Sequence, residues 1–226
     1  MCGVLGITIS NFNEGDYDLV RNLFQQSMIR GKHATGVSYV KKNKVITVKE
    51  PICASAFMIK QNLNDWTNED GNLYCIGHIR YSTSDLRYNQ PMATDELSIV
   101  HNGIISQEPA DTWQQTYGYE VETANDSELV LRCLIAKDHP LNKFPLSSMS
   151  VCTIDKNKKL TAFRNEARPL YYHNNHRMTI FTSTEDIAKR SNLTNVKKCA
   201  MFNVYNVSNF RLTIDNVSYS NVEDLQ

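Results

Sequence analysis

The sequence predicts an α+β protein in which two packed β-sheets are flanked by helices. Segments with strand-like alternation or continuous apolar runs occur at both ends of the chain. Between them, residues 16–29 and 126–137 carry apolar side chains at helical spacing. This pattern favours layers of secondary structure around a shared core. Because no linker, low-complexity tract or internal repeat interrupts it, we expect a single domain over residues 1–226.

The first half of the chain predicts alternating strands and helices. Its strands are apolar or alternating segments bounded by polar turns, and its helices each carry an apolar face. In chain order, the elements are a buried strand at 3–7, a helix at 16–29, a hairpin with strands at 37–40 and 45–48, a short helix at 52–63, strands at 73–83 and 97–100, and a helix at 126–137.

The second half is rich in strands. Polar turns rich in asparagine, aspartate and lysine separate short segments that alternate or run apolar. The strands are expected at 149–154, 159–163, 170–173, 178–182, 202–207 and 210–217. A brief helix is expected at 184–190, and residues 218–226 form a polar tail.

The charge balance, the cysteine spacing and the lengths of the apolar segments argue against several classes of function. Lysine and arginine number 24 and aspartate and glutamate also 24, so no nucleic-acid or membrane partner is indicated. The six cysteines are irregularly spaced with no CxxC pair, and His33 has no second ligand at useful spacing, so we expect no metal or cofactor. No signal peptide or membrane-length apolar stretch is present. We therefore expect a cytoplasmic protein.

Cys2 is the first candidate for chemistry. Removal of Met1 would make Cys2 the terminal residue and place its thiol beside its own α-amine. An amine with a pKa of roughly 8 and a thiol with a pKa of roughly 8.5 are matched for proton transfer near neutral pH. One residue would then supply both nucleophile and base. The alternative is a small apolar residue that happens to follow Met1.

The apolar strand that begins at Leu73 ends in Arg80 and the three hydroxyl side chains that follow it, up to Thr83. A guanidinium at the end of a buried strand is costly unless it meets an anion. A substrate carboxylate would match its planar fork. An internal salt bridge is an equally good interpretation.

Asn102 and Gly103 follow the strand at 97–100 and precede further apolar residues. An Asn-Gly pair after a strand usually forms a hairpin turn. An asparagine amide and a glycine backbone N–H are also a suitable pair of donors for an oxyanion.

Asp126 opens the helix at 126–137, with Glu128 close behind it. Acidic residues in a first helical turn are favourable against the helix dipole. By sequence rules alone, Asp126 is a plain helix cap.

Taken together, these motifs resemble the glutaminase domain of the class II (N-terminal nucleophile) glutamine amidotransferases. The matching segments keep the family's order and approximate spacing. They are residues 1–6, Arg30-Gly31 with Gly36, Gly77-His78 with Arg80 and Thr83, Asn89 with Pro91, residues 101–105, and Asp126 with Glu128. Weaker matches at 164–165, 169–170 and 183–188 extend the resemblance over nearly the whole chain.

The resemblance implies a four-layer αββα sandwich of two antiparallel sheets. It also implies hydrolysis of the glutamine side-chain amide to glutamate and ammonia. By position, Cys2 corresponds to the nucleophile and its freed α-amine to the general base. Asn102 and Gly103 correspond to the oxyanion hole.

The same resemblance implies how glutamine is held. Arg80 would bind the substrate α-carboxylate and Asp126 the α-ammonium, with Thr83 assisting nearby. Opposite charges at these two positions would bind a free amino acid by its α-end, which leaves the amide carbon at the nucleophile.

Five residues at three places depart from the family pattern. The family usually has Trp at Tyr81, His-Gly at 84–85, and Pro-Asp at 32–33. These positions shape the lid over glutamine and its link to an acceptor site.

Family members commonly carry a synthetase, transferase or isomerase domain after the glutaminase, and this sequence ends at 226. We therefore expect a glutaminase that passes ammonia to a separate acceptor enzyme. Two alternatives are a hydrolase of a γ-glutamyl amide in a larger molecule and a silent binding module. The retention of Cys2, Arg80 and Asp126 disfavours the silent module.

Overall fold

Two antiparallel sheets form the centre of the computed structural model, which describes residues 1–82 and 88–217. The strands within these residues are β1 (Gly3–Ile9), β2 (Ala34–Lys41), β3 (Lys44–Glu50), β4 (Leu73–Arg80), β5 (Met92–Ala93), β6 (Leu97–Ile104), β7 (Ser148–Asp155), β8 (Leu160–Arg164), β9 (Tyr171–Asn174), β10 (Met178–Thr182), β11 (Lys197–Lys198), β12 (Asn203–Ser208) and β13 (Arg211–Asn216). One sheet has the order β11-β9-β10-β1-β4-β2-β3, and the other has the order β13-β12-β8-β7-β6-β5.

Six α-helices lie within the same residues. They are α1 (Tyr17–Gln26), α2 (Ala54–Lys60), α3 (Trp113–Tyr117), α4 (Ser127–Ile135), α5 (Pro140–Lys143) and α6 (Glu185–Arg190). Short 3₁₀ turns occur at Glu14–Asp16, Ser27–Ile29, Leu63–Trp66 and Ala110–Thr112. Within the described ranges, none of these helices combines the length and the apolar character that a bilayer crossing requires.

The two sheets pack face to face through an apolar layer. Val4 and Ile76 from the first sheet join Val100 and Cys152 from the second in one buried cluster. Alternate residues of β1 point the other way, because successive side chains of a strand face opposite sides. Both faces of β1 are therefore covered, and all seven of its residues are buried. This explains the continuous apolar run in its sequence.

The helices cover the two outer faces. Helices α1, α2 and α6 pack on the first sheet, where Phe24 and Phe57 lie in one cluster with Ile7. On the second sheet, Leu129 of α4 lies in a separate cluster with Val151 of β7. Fully burying a side chain of this size contributes about 1.5–3 kcal/mol. The protein thus has four layers, in the order helices, sheet, sheet and helices, with an apolar cluster between each neighbouring pair. This is the arrangement that the resemblance implies.

The expected strands and longer helices are present, and the differences are local. The structure adds α3, α5, β5 and β11, which have two to five residues each. Segments this short have too few residues to establish an apolar period. The Asn102-Gly103 pair lies inside β6 and forms no hairpin turn, because β7 pairs alongside it as far as Ile104.

Candidate active site

A cavity of about 430 Å³ opens where β1, β4 and β6 meet the start of α4. Its lining includes four residues that the sequence singled out, namely Cys2, Arg80, Gly103 and Asp126. Asn102 joins them through a hydrogen bond to Cys2. Residues from three strands and one helix, up to 124 positions apart along the chain, thus converge on one polar pocket.

Cys2 is held at three of its atoms. Its backbone N–H donates to Oδ1 of Asn102 at 3.1 Å, and its carbonyl accepts from Nε of Arg30 at 3.3 Å. Its thiol lies 3.8 Å from the carbonyl oxygen of Tyr81. These contacts come from three separate elements, so the orientation of Cys2 depends on the assembled fold.

The strand behind Cys2 is tied on both edges. β1 pairs with β4 on one side and β10 on the other. Just after Cys2, the N–H of Val4 donates to Oγ of Ser183 at 2.7 Å, and the N–H of Ser183 donates to the carbonyl of Val4 at 3.1 Å. A segment that pairs along both edges has little freedom to fray. The start of the chain is therefore a rigid support for the Cys2 thiol.

Burial raises the pKa of the Cys2 thiol above its ordinary value. The hydrogen bond to Tyr81 and the positive charges of Arg80 and Arg30 favour the thiolate, but they do not offset the loss of solvation. The thiol is therefore mainly protonated at neutral pH. A nucleophile in this state requires a base beside it.

Asn102 is buried, and its side-chain oxygen and nitrogen differ in their hydrogen bonding. Its Oδ1 accepts from Cys2, whereas its buried Nδ2 has no hydrogen-bond partner within the residues that the structure describes. A buried amide donor without an acceptor is uncommon and costly. A donor held in this state next to a thiol is well placed for a ligand oxygen.

Gly103 has a backbone conformation that excludes other residues. Its φ is +154°, and a Cβ atom at this position would lie 1.7 Å from the carbonyl oxygen of Ser148. Only glycine fits so close to a neighbouring backbone.

Arg80 is the last residue of β4, which is shorter than predicted because Tyr81 and Ser82 lie outside the strand. Its Nη1 donates to the carbonyl of Tyr88 at 2.8 Å and to Oδ1 of Asn89 at 2.7 Å. The backbone of Gly31 packs on the Arg80–Tyr81 peptide so closely that a Cβ there would lie 2.3 Å from it. These contacts orient the guanidinium at the rim of the cavity.

Asp126 occupies the N-cap position of α4, as predicted, but its side chain does not act as the cap. Its carboxylate makes no capping hydrogen bond to α4. Instead, Oδ2 of Asp126 accepts from the backbone N–H of Ile105 at 2.6 Å, and Oδ1 of Asn125 accepts from the N–H of Ser127 at 3.0 Å. Asn125 therefore caps the N-terminus of α4, and Asp126 lines the cavity.

A buried polar network beside the cavity was not anticipated from the sequence. The Gln90 side chain accepts from the N–H of His101 at 2.6 Å and donates to its carbonyl at 3.0 Å and to Oγ of Ser127 at 2.9 Å. Nδ1 of His101 lies 3.0 Å from the same Oγ. The network joins β6, which carries Asn102, to the start of α4, which follows Asp126. Only the adjacency of His101 to Asn102 in the sequence could have indicated part of it.

His78 lines the cavity from β4 and is buried. Burial, together with the charges of Arg80 and His101, lowers its pKa to about 3. His78 is therefore neutral at physiological pH.

Some predicted positions have other environments. Thr83, Ser84 and Asp85 lie outside the described residues. The exposed Tyr81 ring lies 5.2 Å from the His33 ring, and Nδ1 of His33 accepts from the N–H of Ser82 at 2.8 Å. His33 is thus a loop histidine that supports the end of β4. In the described part of the chain, no three His, Cys, Asp or Glu side chains gather as a metal site would require.

Comparison with protein families identifies the domain type. A family model described as a glutamine amidotransferase domain matches residues 78–189, which include Arg80, Asn102, Gly103 and Asp126. This part of the chain is therefore similar to a glutamine amidotransferase domain. The match begins beyond Cys2, so the position of Cys2 in the site comes from the structure alone. Comparison with curated proteins gave no match.

Several solved structures share the fold of this chain. Glutamine phosphoribosylpyrophosphate amidotransferase from B. subtilis has a TM-score of 0.74 at 16% identity, covering 95% of this chain and 49% of that one. A protein described as the allosteric regulatory enzyme of purine biosynthesis has a TM-score of 0.73 at 17% identity, covering 98% and 50%. A glutamine aminotransferase class-II domain protein from Silicibacter pomeroyi has a TM-score of 0.59 at 10% identity, covering 97% and 100%.

These likenesses concern the fold. This chain spans about half the length of the first two chains and all of the third. Its two antiparallel sheets form the same sandwich as in the first two structures.

Proposed function

We propose that this enzyme hydrolyses the side-chain amide of glutamine through a thioester on Cys2, releasing glutamate and ammonia. The single observation that carries the proposal is the double use of Asn102. Its carbonyl oxygen accepts from the Cys2 nitrogen, and its amide nitrogen is buried without a partner in the described residues. A donor beside a nucleophile is the arrangement needed for a tetrahedral oxyanion.

The proposed reaction begins after Met1 is removed. The α-amine of Cys2 takes the thiol proton, and the sulfur attacks the amide carbon of glutamine. Nδ2 of Asn102 and the N–H of Gly103 stabilise the oxyanion that forms. The C–N bond then breaks, the α-ammonium returns the proton to the leaving nitrogen, and ammonia departs. Water hydrolyses the thioester by the same steps and releases glutamate.

The environment of Cys2 supports a base-dependent mechanism. Because burial raises the pKa of the thiol, little thiolate exists before substrate binds. An α-amine attached to the same residue can accept the proton without any movement of a second side chain. With Met1 in place, that nitrogen is an amide and cannot act as a base.

We propose that Arg80 and Asp126 recognise the α-carboxylate and α-ammonium of the substrate. Both residues line the cavity and carry opposite charges. Tyr88 and Asn89 orient the Arg80 guanidinium, and Ile105 orients the Asp126 carboxylate. Thr83 would assist from the segment after Arg80.

We further propose that residues 1–226 act as one glutaminase domain in the cytoplasm and that a separate enzyme accepts the ammonia. The family and the free state of the six cysteines support this interpretation. A γ-glutamyl amide of a larger molecule is the second candidate substrate, because Arg80 and Asp126 would bind its glutamyl end equally well.

The test is ammonia release from glutamine by protein whose intact mass lacks Met1. Cys2→Ala should abolish it, whereas Cys53→Ala, at the other half-buried free cysteine, should retain it. Turnover by Cys2→Ala at the wild-type rate would refute the thioester mechanism.

A further inference from the structure

Two arginines outside the glutamine-binding set lie beside the start of the chain. Nε of Arg30 donates to the carbonyl of Cys2 at 3.3 Å, and Nη1 of Arg168 lies 3.8 Å from Sδ of Met1. Arg30 therefore contacts the proposed nucleophile itself, and Arg168 contacts the residue before it.

Each guanidinium has a buried nitrogen that makes no hydrogen bond within the described residues. Nη2 of Arg30 and Nε of Arg168 are buried without a hydrogen-bond partner among residues 1–82 and 88–217. Across those same ranges, neither arginine forms an ion pair with a carboxylate. Burying a charge without an opposite charge is unfavourable.

The two charges also oppose each other. Burial, and after it the charge of Arg168, lowers the pKa of Arg30, which the Cys2 thiolate partly offsets. An anion between or beside the guanidiniums would relieve this repulsion and satisfy the free N–H groups.

The proposed mechanism locates the leaving group on this side. The α-nitrogen of Cys2 must come within hydrogen-bond distance of the leaving nitrogen to return the proton. Met1 is attached to that same α-nitrogen and contacts Arg168. Once Met1 is removed, a substituent on the leaving nitrogen would occupy the space beside Arg168 and Arg30.

We infer that the enzyme favours γ-glutamyl amides whose amine half carries a carboxylate, and that Arg168 with Arg30 binds this carboxylate. The inference rests on the proposed function and specifies its substrate class. Free glutamine has no substituent on its amide nitrogen, so it would leave this subsite unused. The planar fork of arginine matches a carboxylate in two parallel hydrogen bonds.

The experiment compares γ-glutamylglycine with γ-glutamylglycinamide, which differ only in the terminal charge. With Met1 removed, kcat/KM for γ-glutamylglycine should be at least about tenfold higher, as expected for charge-assisted hydrogen bonds. Arg168→Gln should reduce the preference to near one, and Arg168→Lys should retain part of it. Arg190→Gln, which removes an exposed arginine from α6, should keep the full preference.

The neutral amide is the internal control, because its turnover shows whether each variant is folded. Glutamine hydrolysis without a preference in the wild-type protein would overturn the inference and leave the proposed function intact. An equal preference in Arg168→Gln and wild type would also overturn it. If glutamine and both γ-glutamyl compounds all fail to react, the proposed function is wrong and the inference falls with it.

Discussion

The backbone nitrogen of Cys2 donates a hydrogen bond of 3.1 Å to Oδ1 of Asn102, which lies 100 residues further along the chain. Cys2 lies just before β1 of one sheet, and Asn102 lies within β6 of the other. The contact orients the asparagine so that its oxygen faces Cys2 and its NH₂ group is left for another acceptor. One side chain can thus position the nucleophile and stabilise an oxyanion.

Asn102→Asp tests the donor half of this arrangement. Aspartate has nearly the same shape and keeps an oxygen for the Cys2 nitrogen, but it has no N–H donor and adds a negative charge. We expect kcat for glutamine hydrolysis to fall by about 10²–10³-fold, the usual effect of losing one oxyanion donor. Asn142→Asp, at an exposed position of α5, is the matched control. An active Asn102→Asp enzyme would remove this residue from the oxyanion hole.

Asp126→Asn tests recognition of the substrate α-ammonium. Asparagine can still accept from the N–H of Ile105, which now meets Oδ2 at 2.6 Å, so the fold should be retained. The loss of charge should raise KM for glutamine about tenfold or more. Glutaramate, the analogue without an α-amine, should be hydrolysed equally by variant and wild type. Equal losses for both compounds would instead indicate a structural role for Asp126.

His78 links stability to pH. Burial, Arg80 and His101 lower its pKa from the ordinary 6.5 to about 3, so the unfolded chain binds a proton below pH 6.5 that the folded protein does not. Stability is therefore complete above pH 6.5 and declines as the pH falls. Between pH 8 and pH 5, His78 should cost about 2 kcal/mol of unfolding free energy.

Denaturant unfolding at the two pH values measures this loss. His78→Gln should reduce the loss, whereas the exposed His176→Gln should not. The buried His101 also has a pKa lowered by burial, so part of the decline should persist in the His78 variant. An unchanged decline in His78→Gln would contradict the assignment.

Much of the fold and several site positions could be predicted from local sequence. Three site residues have recognisable positions along the chain. Cys2 precedes a strand, Arg80 ends one, and Gly103 lies near the end of another. Their convergence in one cavity required only that strands pair as their apolar patterns indicate. The continuous apolar run of β1 likewise agrees with the burial of both its faces.

The rest depends on contacts that no short segment encodes. No sequence motif indicated a role for Gln90, yet its side chain joins His101 to Ser127. Asp126 looked like a helix cap because sequence spacing does not reveal that Asn125 takes that hydrogen bond. Arg168 meets Met1 across 167 residues. Such pairings are set by sheet order and layer packing, which are properties of the whole chain.

The claim at the centre of the mechanism is that the α-amine of Cys2 is the catalytic base. It is tested most directly by measuring glutamine hydrolysis for one preparation before and after methionine aminopeptidase treatment, with intact mass confirming the state of Met1. Protein without Met1 should release ammonia at least about 100-fold faster, the range expected for a general base. Equal turnover by protein whose mass still includes Met1 would contradict the mechanism.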